Sequence, residues 1–455
     1  MSITVVILAA GQGKRMHSDL PKVLHRVAGR PMVEHVLDVA RSVSDRKPIV
    51  VYGHGGQKLI DALGRPDVIW VEQSEQLGTG HAVAQALPKI TDGSTVLILY
   101  GDVPLLRPSS VERLVAAGID TGFAVLTVNM PDASGYGRIV RDASGRISRI
   151  VEHQDASEAE QEIREINTGI MAISADRLKA WIPRLGDENA QGEYYLTDCV
   201  AMAVAEGIEV SGVLIDEAEE AMGINDRRQL AIVERHFQDR IADALMVAGV
   251  TLIDPARIDV RGDVECGKDV VIDVNVIFEG QVRIGNGVRI GPNNFIADCE
   301  IDDDVEILPN CVLDSASIGK RSRIGPFSRI RPESRLADDV HIGNFVEIKK
   351  SDIATGSKVN HLSYVGDAEI GARVNIGAGT ITCNYDGAFK HKTILEDDVF
   401  VGSDTQLVAP VTVGRGVTIG AGTTVTEDVE AGQLVISRVR QKTVSGWKRP
   451  QKNKK

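Results

Sequence analysis

A chain of 455 residues is too long for one ordinary domain and is expected to divide into two or three. Its net charge of −13 argues against a nucleic-acid binder, and aromatics at 4% beside 45 glycines suit a stacked coil with a thin aliphatic interior. Five cysteines, odd in number and without a CxxC pair, read as free thiols in a reducing compartment rather than as a disulfide framework.

The apolar start, Ile3 to Ala10, lacks a basic flank and is too short to span a membrane, so it reads as a buried strand of a cytoplasmic protein. Onward to about residue 227, short apolar runs alternate with helical patterns, the mark of a parallel α/β sheet. Thr4–Ala9, Ile49–Tyr52, Val68–Val71, Val96–Leu99 and Phe123–Val128 are the expected strands. The loop Gly11-Gln12-Gly13-Lys14-Arg15-Met16 lacks the third glycine of a dinucleotide fingerprint and the GKS/T ending of a P-loop. Alone, it is either a tight turn or a place where backbone amides approach a phosphate. Gln73 precedes a glycine-bearing run, Gln76-Leu77-Gly78-Thr79-Gly80-His81-Ala82. Leu99-Tyr100-Gly101-Asp102-Val103-Pro104 ends a strand with an acid at its carboxyl tip, the crevice where open α/β sheets bind ligands. Gly137 in Gly135-Tyr136-Gly137-Arg138, Glu152 in Val151-Glu152-His153 and Asn167 in Glu165-Ile166-Asn167-Thr168-Gly169 are, by themselves, ordinary loop residues.

The string Leu8-Ala9-Ala10-Gly11-Gln12-Gly13-Lys14-Arg15-Met16, with Pro21-Lys22 after it, resembles the sugar-nucleotidyltransferase family, whose motif is LAAGxGxRM followed by PK. The resemblance implies a Rossmann-like α/β nucleotidyltransferase domain. It implies that Leu8, Ala9, Ala10 and Gly11 wrap nucleotide phosphates and that Lys22 meets a phosphate. Lys14 stands where the family commonly has Thr or Ser. By the same resemblance Gln73, Gly78 and Thr79 read uracil, and Tyr100, Gly101 and Asp102 line the nucleotide-sugar site. Gly137, Glu152 and Asn167 hold the sugar. Asp102 and Asn225, from Gly223-Ile224-Asn225-Asp226, are the implied Mg²⁺ ligands. Two suffice, because Mg²⁺ keeps waters and takes substrate phosphate oxygens. Gly192-Glu193-Tyr194-Tyr195-Leu196-Thr197-Asp198 matches a further family stretch to which no contact is assigned.

Arg227 to Ala248 carries Leu230, Val233, Phe237, Ile241 and Leu245 at helical spacing and reads as a linker helix without chemistry. Beyond about Val250 an aliphatic residue returns every sixth position. Ile272, Phe278, Ile284, Ile290 and Ile296 keep step, as do Ile318, Ile324, Ile330, Leu336, Ile342 and Ile348, and later Val401, Leu407, Val413, Ile419 and Val425. Such a period fits neither helix nor plain strand and signals a repeat. Three hexads close a triangular turn, and turns stack about 4.8 Å apart. The residue after each aliphatic is often small (Gly285, Gly291, Gly343, Gly402), as tight corners require. This resembles the hexapeptide acyltransferase family, whose parallel β-helix is left-handed. The hand comes from the resemblance, because the general crossover rule favours the other sense.

Arg331 and Lys349 break the small-residue habit and stand one 18-residue turn apart, so they stack and would cradle an anion such as a sugar phosphate. The period then slips by one between Ile348 and Ile353. His361 follows within about one turn of the cation pair; its neutral imidazole could take the proton released when an amine attacks a thioester. Glu347 could orient that ring. Asn375, Ala378 and the irregular loop Thr382-Cys383-Asn384-Tyr385-Asp386-Gly387 interrupt the coil as substrate-binding insertions do. Ser403 and Ala421, again 18 apart, would stack along the axis toward Arg438, a track that suits coenzyme A. From Arg438 to Lys455 run eight Lys or Arg and no acid, either a solvated extension or an anion-binding tail.

Taken together, the order of both motif sets, the joining helix and the length resemble the bacterial family of bifunctional N-acetylglucosamine-1-phosphate uridyltransferase/glucosamine-1-phosphate N-acetyltransferase enzymes. The resemblance implies a uridylyltransferase domain over 1–227, a linker helix over 228–248 and a left-handed β-helix acetyltransferase with its basic tail over 249–455. His361 is the implied general base, Arg331 and Lys349 the phosphate clamp, and Tyr364 and Asn375 the amino-sugar ligands. Ala378, Asn384, Tyr385, Ser403, Ala421 and Arg438 are the implied acetyl-CoA path. Glucosamine 1-phosphate is N-acetylated, and the product attacks UTP to give UDP-N-acetylglucosamine and pyrophosphate, supplying peptidoglycan and lipopolysaccharide synthesis. The family also implies a homotrimer sharing the acetyl-transfer site, with no nucleic acid and no membrane span. Two alternatives remain at this stage: a single-function sugar-1-phosphate nucleotidyltransferase with a scaffolding β-helix, and a non-catalytic regulator of the kind found among translation-initiation exchange factors.

Overall fold

The run Ile3–Ala9 is apolar at nearly every position because both of its faces are covered. Val5 and Ile7 pack with Val36, Leu37 and Leu114, whereas Val6 and Leu8 pack on the other side with Val83, Trp181 and Val200. In this computed structural model, which describes residues 2–11, 13–53 and 55–451, the strand is central to a mixed sheet. Gln12 of the glycine loop and Lys452–Lys455 of the basic tail lie outside the described residues. The sheet order is Ser211–Ile215, Phe123–Asn129, Glu165–Ser174, Thr95–Tyr100, Ile3–Ala9, Ile49–Tyr52, Ile69–Glu72.

The five expected strands run in one direction, and the sheet is mixed because of an element between two of them. Glu165–Ser174 lies antiparallel to both of its neighbours, and the hairpin Arg138–Arg141 with Ile147–Val151 extends from it. The polar Asn167-Thr168-Gly169 sits in a register shift between Asn167 and Met171, so the run reads as a loop although it is a bulged strand. The helix spans Arg227–Val247, as its spacing predicts. Contacts divide the chain into two compact units, Met1–Gln238 and Asp239–Lys455.

In the second unit, parallel strands of two to four residues, with two longer ones near the start, wind into a prism with three faces. One face runs from Thr251–Leu252 through Arg289–Ile290, His341–Asn344 and Asn375–Ile376 to Leu434–Val435. The other two join through the long strands Ile258–Cys266 and Val276–Ile284, which carry on around a corner. The aliphatics of the six-residue beat fill the interior from Val250 to Val425. The circumference is not uniform, however. Ile272 stacks on Ile290 and Ile330 on Ile348, 18 apart, but Ile290 stacks on Ile307 and Ile348 on Val365, 17 apart. From Ile370 to Leu395 the coil takes 25 residues and expels a loop.

Corner conformation differs from expectation too. The left-handed corner residues other than glycine are mostly Asn and Asp, with Phe327, Phe345 and Leu362 among them. Gly343 is small for another reason: a Cβ there would lie 2.0 Å from the Asn360 carbonyl of the next coil. Among the described residues no helix is long and apolar enough to cross a membrane, and the five cysteines are free.

Candidate active sites

In the first unit the tips of Ile3–Ala9 and Thr95–Tyr100 lie side by side, with Leu8 opposite Tyr100. The chain leaves these strands toward opposite edges of the sheet, which opens a crevice at their carboxyl ends. Leu8, Ala9, Ala10, Gly11, Lys22, Gln73, Gly78, Thr79, Tyr100 and Asp102 line one cavity there. Gly101 joins them through its amide, which donates to the Leu8 carbonyl at 3.0 Å.

The Asp102 carbonyl accepts the Ile224 N–H at 3.0 Å, and that bond brings Asn225 alongside. The Lys22 ammonium then lies 2.5 Å from Asp102 Oδ2 and 3.3 Å from Asn225 Oδ1. A cation thus already sits between the two expected metal ligands, and a carboxylate with an amide oxygen suits a hard divalent ion. Among the described residues no cluster of three or more His, Cys, Asp or Glu forms a fuller cage, so most ligands would have to come from substrate and water.

Gly137, Glu152 and Asn167 form a second wall. The Asn167 N–H donates to the Gly137 carbonyl at 2.8 Å, and a Cβ on Gly137 would stand 3.3 Å from Glu152 Oε2. Burial raises the Glu152 carboxyl above its ordinary range; the Thr197 hydroxyl, donating at 3.0 Å, opposes this, while Asp155, Asp198 and Glu193 add to it. Tyr100 joins the walls. Burial, then the charges of Glu152 and Asp102, hold its hydroxyl above the usual range.

The stretch Glu193–Asp198, given no contact from sequence, is part of this site. Gly80 N–H donates to the Tyr194 carbonyl at 2.8 Å, Tyr194 N–H to the Leu77 carbonyl at 2.9 Å, and Leu196 N–H to Thr79 Oγ1 at 3.1 Å. Glu193 lines the cavity, and Thr197 holds Glu152. Gln73, buried, donates to the Gly78 carbonyl at 3.2 Å and lies 3.1 Å from His81 Nδ1, so it braces the glycine run it precedes.

In the second unit Arg331 and Lys349 do stack on one edge. Their strands pair in register, and the Arg331 N–H donates to the Ile348 carbonyl at 2.9 Å. Lys390, from the expelled loop, reaches the same edge. It approaches Lys349 and, with burial and Arg331, holds the Lys349 ammonium below its usual range. Sequence spacing missed Lys390 because the loop breaks the period. Three cations gather here against Asp367 and Glu347. Such crowding is relieved by a bound anion.

Tyr364 leans toward this edge. A Cβ on Gly366 would stand 2.4 Å from its hydroxyl oxygen, which Asn384 Nδ2 approaches at 3.4 Å. Asn384 in turn donates to Asp367 at 2.5 Å. The loop closes on itself through Tyr385 Oη to the Gly387 carbonyl at 2.6 Å and Asp386 with His391 at 2.7 Å.

The imidazole lies elsewhere. His361 precedes the corner at Leu362, whereas Lys349 precedes the corner at Lys350, so the two flank opposite ends of one face, with Glu347 and Tyr364 side by side between them. The expected adjacency of base and anion cradle is therefore a span across a face. Asn375 lies on the next face, stacked on Lys358. Glu347 pairs with Arg331 at 2.8 Å instead of orienting the ring; the partner of His361 Nδ1 is Asn344 Oδ1, at 2.7 Å.

One ladder unites the remaining residues. Asn344 stacks beneath His361, the Gly379 N–H reaches the His361 carbonyl, the Asp404 N–H reaches the Ala378 carbonyl, and the Gly422 N–H reaches the Ser403 carbonyl. Asn344, His361, Ala378, Ser403 and Ala421 are therefore successive rungs on one edge. Arg438 Nε closes the row on the Ala421 carbonyl at 3.0 Å. Only the 403/421 step was visible as a spacing, because the steps below it are 25 and 17 residues.

Known proteins match both halves. Residues 5–164 match the MobA-like NTP transferase domain, residues 260–344 the GMPPB C-terminal domain, and residues 392–427 the bacterial transferase hexapeptide (six repeats), with which the coil is a left-handed β-helix of hexapeptide repeats. Among curated relatives, the "Bifunctional protein GlmU" of Azoarcus sp. (strain BH72) is 58% identical over 450 residues, covering 99% of this chain and 100% of the relative. The protein of that name from Cupriavidus pinatubonensis is 57% identical over 453 residues and covers both chains completely. That of Methylococcus capsulatus is 57% identical over 456 residues, with 100% of this chain and 99% of the relative aligned.

Proposed function

Since this chain belongs to the bifunctional GlmU family, we propose that each unit carries one of two consecutive transfers. The enzyme N-acetylates glucosamine 1-phosphate with acetyl-CoA and then joins N-acetylglucosamine 1-phosphate to the uridylyl group of UTP, making UDP-N-acetylglucosamine. Residues 1–227 carry the uridylyl transfer, 228–248 the linker and 249–455 the acetyl transfer. The observation that carries this reading is that the residues expected for nucleotide and sugar meet around Tyr100, while His361, Ala378, Ser403 and Ala421 form one edge of the coil.

For acetyl transfer, Arg331, Lys349 and Lys390 hold the sugar phosphate and Tyr364 positions the ring. Asn384 and Tyr385 sit on the loop above. Acetyl-CoA runs along the small rungs Ala378, Ser403 and Ala421 to Arg438, which brings its thioester down to the imidazole. The amine attacks the thioester carbonyl, the C–S bond breaks, and His361 Nε2 takes the amine proton and returns it to the departing thiolate. In one chain Asn375 lies at the far end of the face that ends at His361, stacked on Lys358. Beside the imidazole, Phe327 and Phe345 stack at 5.3 Å between ring centres, half exposed, with Leu362 exposed above them. An exposed apolar ladder at a half-built site argues for a homotrimer in which a neighbouring coil completes the site, with Asn375 supplied across the interface.

For uridylyl transfer, Lys22 and the loop at Gly11 face the phosphates, Glu152 and Asn167 hold the sugar, and Gln73 with Gly78 and Thr79 face the base. Mg²⁺, held by Asp102 and Asn225, would screen the charge of the phosphoryl group in flight. Lys22 then moves from Asp102 to a phosphate oxygen. This chemistry belongs to the cytoplasm.

The test is one incubation of the full chain with glucosamine 1-phosphate, acetyl-CoA, UTP and Mg²⁺. The wild type should yield the sugar nucleotide; His361→Ala should lose CoA release yet still release pyrophosphate when given N-acetylglucosamine 1-phosphate directly, and Asp102→Ala should release CoA but no pyrophosphate. Acetyl transfer undiminished in His361→Ala would overturn the assignment.

A further inference from the structure

We propose that Asn344 is a positioning residue for acetyl transfer, fixing the tautomer in which His361 acts. The inference rests on the reading of His361 as general base. A neutral imidazole has one N–H and one lone pair, and only the nitrogen with the lone pair can accept a proton. Asn344 Oδ1 lies 2.7 Å from His361 Nδ1. An amide oxygen only accepts, so Nδ1 carries the hydrogen and the lone pair falls on Nε2, the nitrogen free to face the substrate amine.

The register makes this contact a built feature. Asn344 and His361 pair directly on adjacent coils, and the Leu362 N–H donates to the Asn344 carbonyl at 3.1 Å. The His361 carbonyl is itself held, by Ser363 Oγ at 2.8 Å and the Gly379 N–H at 3.3 Å. Gly343 lets the two coils approach so closely, for any Cβ there would strike the Asn360 carbonyl. On the strands around the ring the titratable neighbours are His341 and Lys358, with Arg323 one rung below His341. Glu306, a rung below Arg323, also acts on His341 but is paired with Arg323 at 2.9 Å, so among the described residues no carboxylate on these strands is placed to share the task. Glu347, on the adjoining face, is taken by Arg331.

In the proton's path the amine nitrogen bonds the thioester carbon, the proton passes to Nε2, and Nδ1–H stays on Asn344 throughout. Asn344 stabilises the imidazolium in passing but touches no reacting atom.

The experiment compares Asn344→Ala and Asn344→Asp with wild type in the full-length enzyme, reading CoA release across pH, pyrophosphate release, and the ¹⁵N shifts of the His361 ring. Asn344→Ala should lower kcat for acetylation by about tenfold or more, with KM for acetyl-CoA unchanged, and should shift the neutral ring toward Nε2–H. Asn344→Asp should keep the tautomer and favour the imidazolium, moving the acid limb of the kcat/KM profile up by roughly one pH unit. Pyrophosphate release should not change in either, which reports an intact fold. Unchanged kcat and pH profile in both variants, or a wild-type ring protonated at Nε2, would overturn the proposal. Where His361→Ala abolishes acetylation and the Asn344 variants do nothing, this inference alone fails; where His361→Ala is active, the underlying assignment fails.

Discussion

Glu152 illustrates how a single buried carboxyl ties binding to stability. Its folded-state pKa is raised, chiefly by burial, so the folded protein binds that proton more readily than the unfolded chain does. Stability from this group is therefore greatest at low pH and declines as pH rises from the ordinary carboxyl range through the folded value. Glu152→Gln should melt above wild type at pH 7.5, lose that advantage near pH 4, and bind N-acetylglucosamine 1-phosphate less well; equal melting curves at pH 7.5 would refute the electrostatic account. Gly366 offers a steric counterpart. A methyl there collides with the Tyr364 hydroxyl, so Gly366→Ala should raise KM for glucosamine 1-phosphate by about tenfold, the worth of one lost hydrogen bond, without touching pyrophosphate release. Residue types were legible before any coordinates: Lys22, Asp102 and Asn225 meet, and Arg331 stacks with Lys349. Partner choice was not. Glu347 and Asn344 are both polar neighbours of the imidazole in sequence terms, and only the 17-residue step at this coil puts Asn344 directly under His361.

Among the elements, the six-residue beat was readable because an interior this thin admits only aliphatics at its rungs. The antiparallel insertion of Glu165–Ser174 was hidden, since hydropathy marks a strand but carries no direction and Asn167-Thr168-Gly169 imitates a loop. The segment Glu193–Asp198 was hidden for a different reason: its contribution is made largely by backbone, against the turn at Gly78 and Gly80. Gly78 has φ +103, and a Cβ would stand 2.8 Å from the Tyr194 carbonyl oxygen. Gly78→Ala should therefore abolish most uridylyl transfer and destabilise the first unit by about 1–3 kcal/mol, measured by denaturant unfolding alongside pyrophosphate release. CoA release should persist; its loss would show that the damage is not confined to this contact.

For the whole molecule, assembly is the open quantity, and the exposed Phe327, Phe345 and Leu362 make it testable. Phe345→Glu should sediment as a smaller species than wild type and lose most acetyl transfer while retaining uridylyl transfer; an unchanged sedimentation coefficient would remove the apolar edge from the interface. The same edge carries a further implication. From His361 to Ala421 it climbs three rungs, about 14 Å at the strand spacing, before Arg438 caps the row. On the acetyl-CoA path proposed above the coil is in effect a gauge: the number of windings, rather than any side chain's chemistry, measures off the arm of the donor between its reactive end and its charged end. Excising one complete winding would leave the surviving rungs paired, yet the protein would then size its donor one step too short.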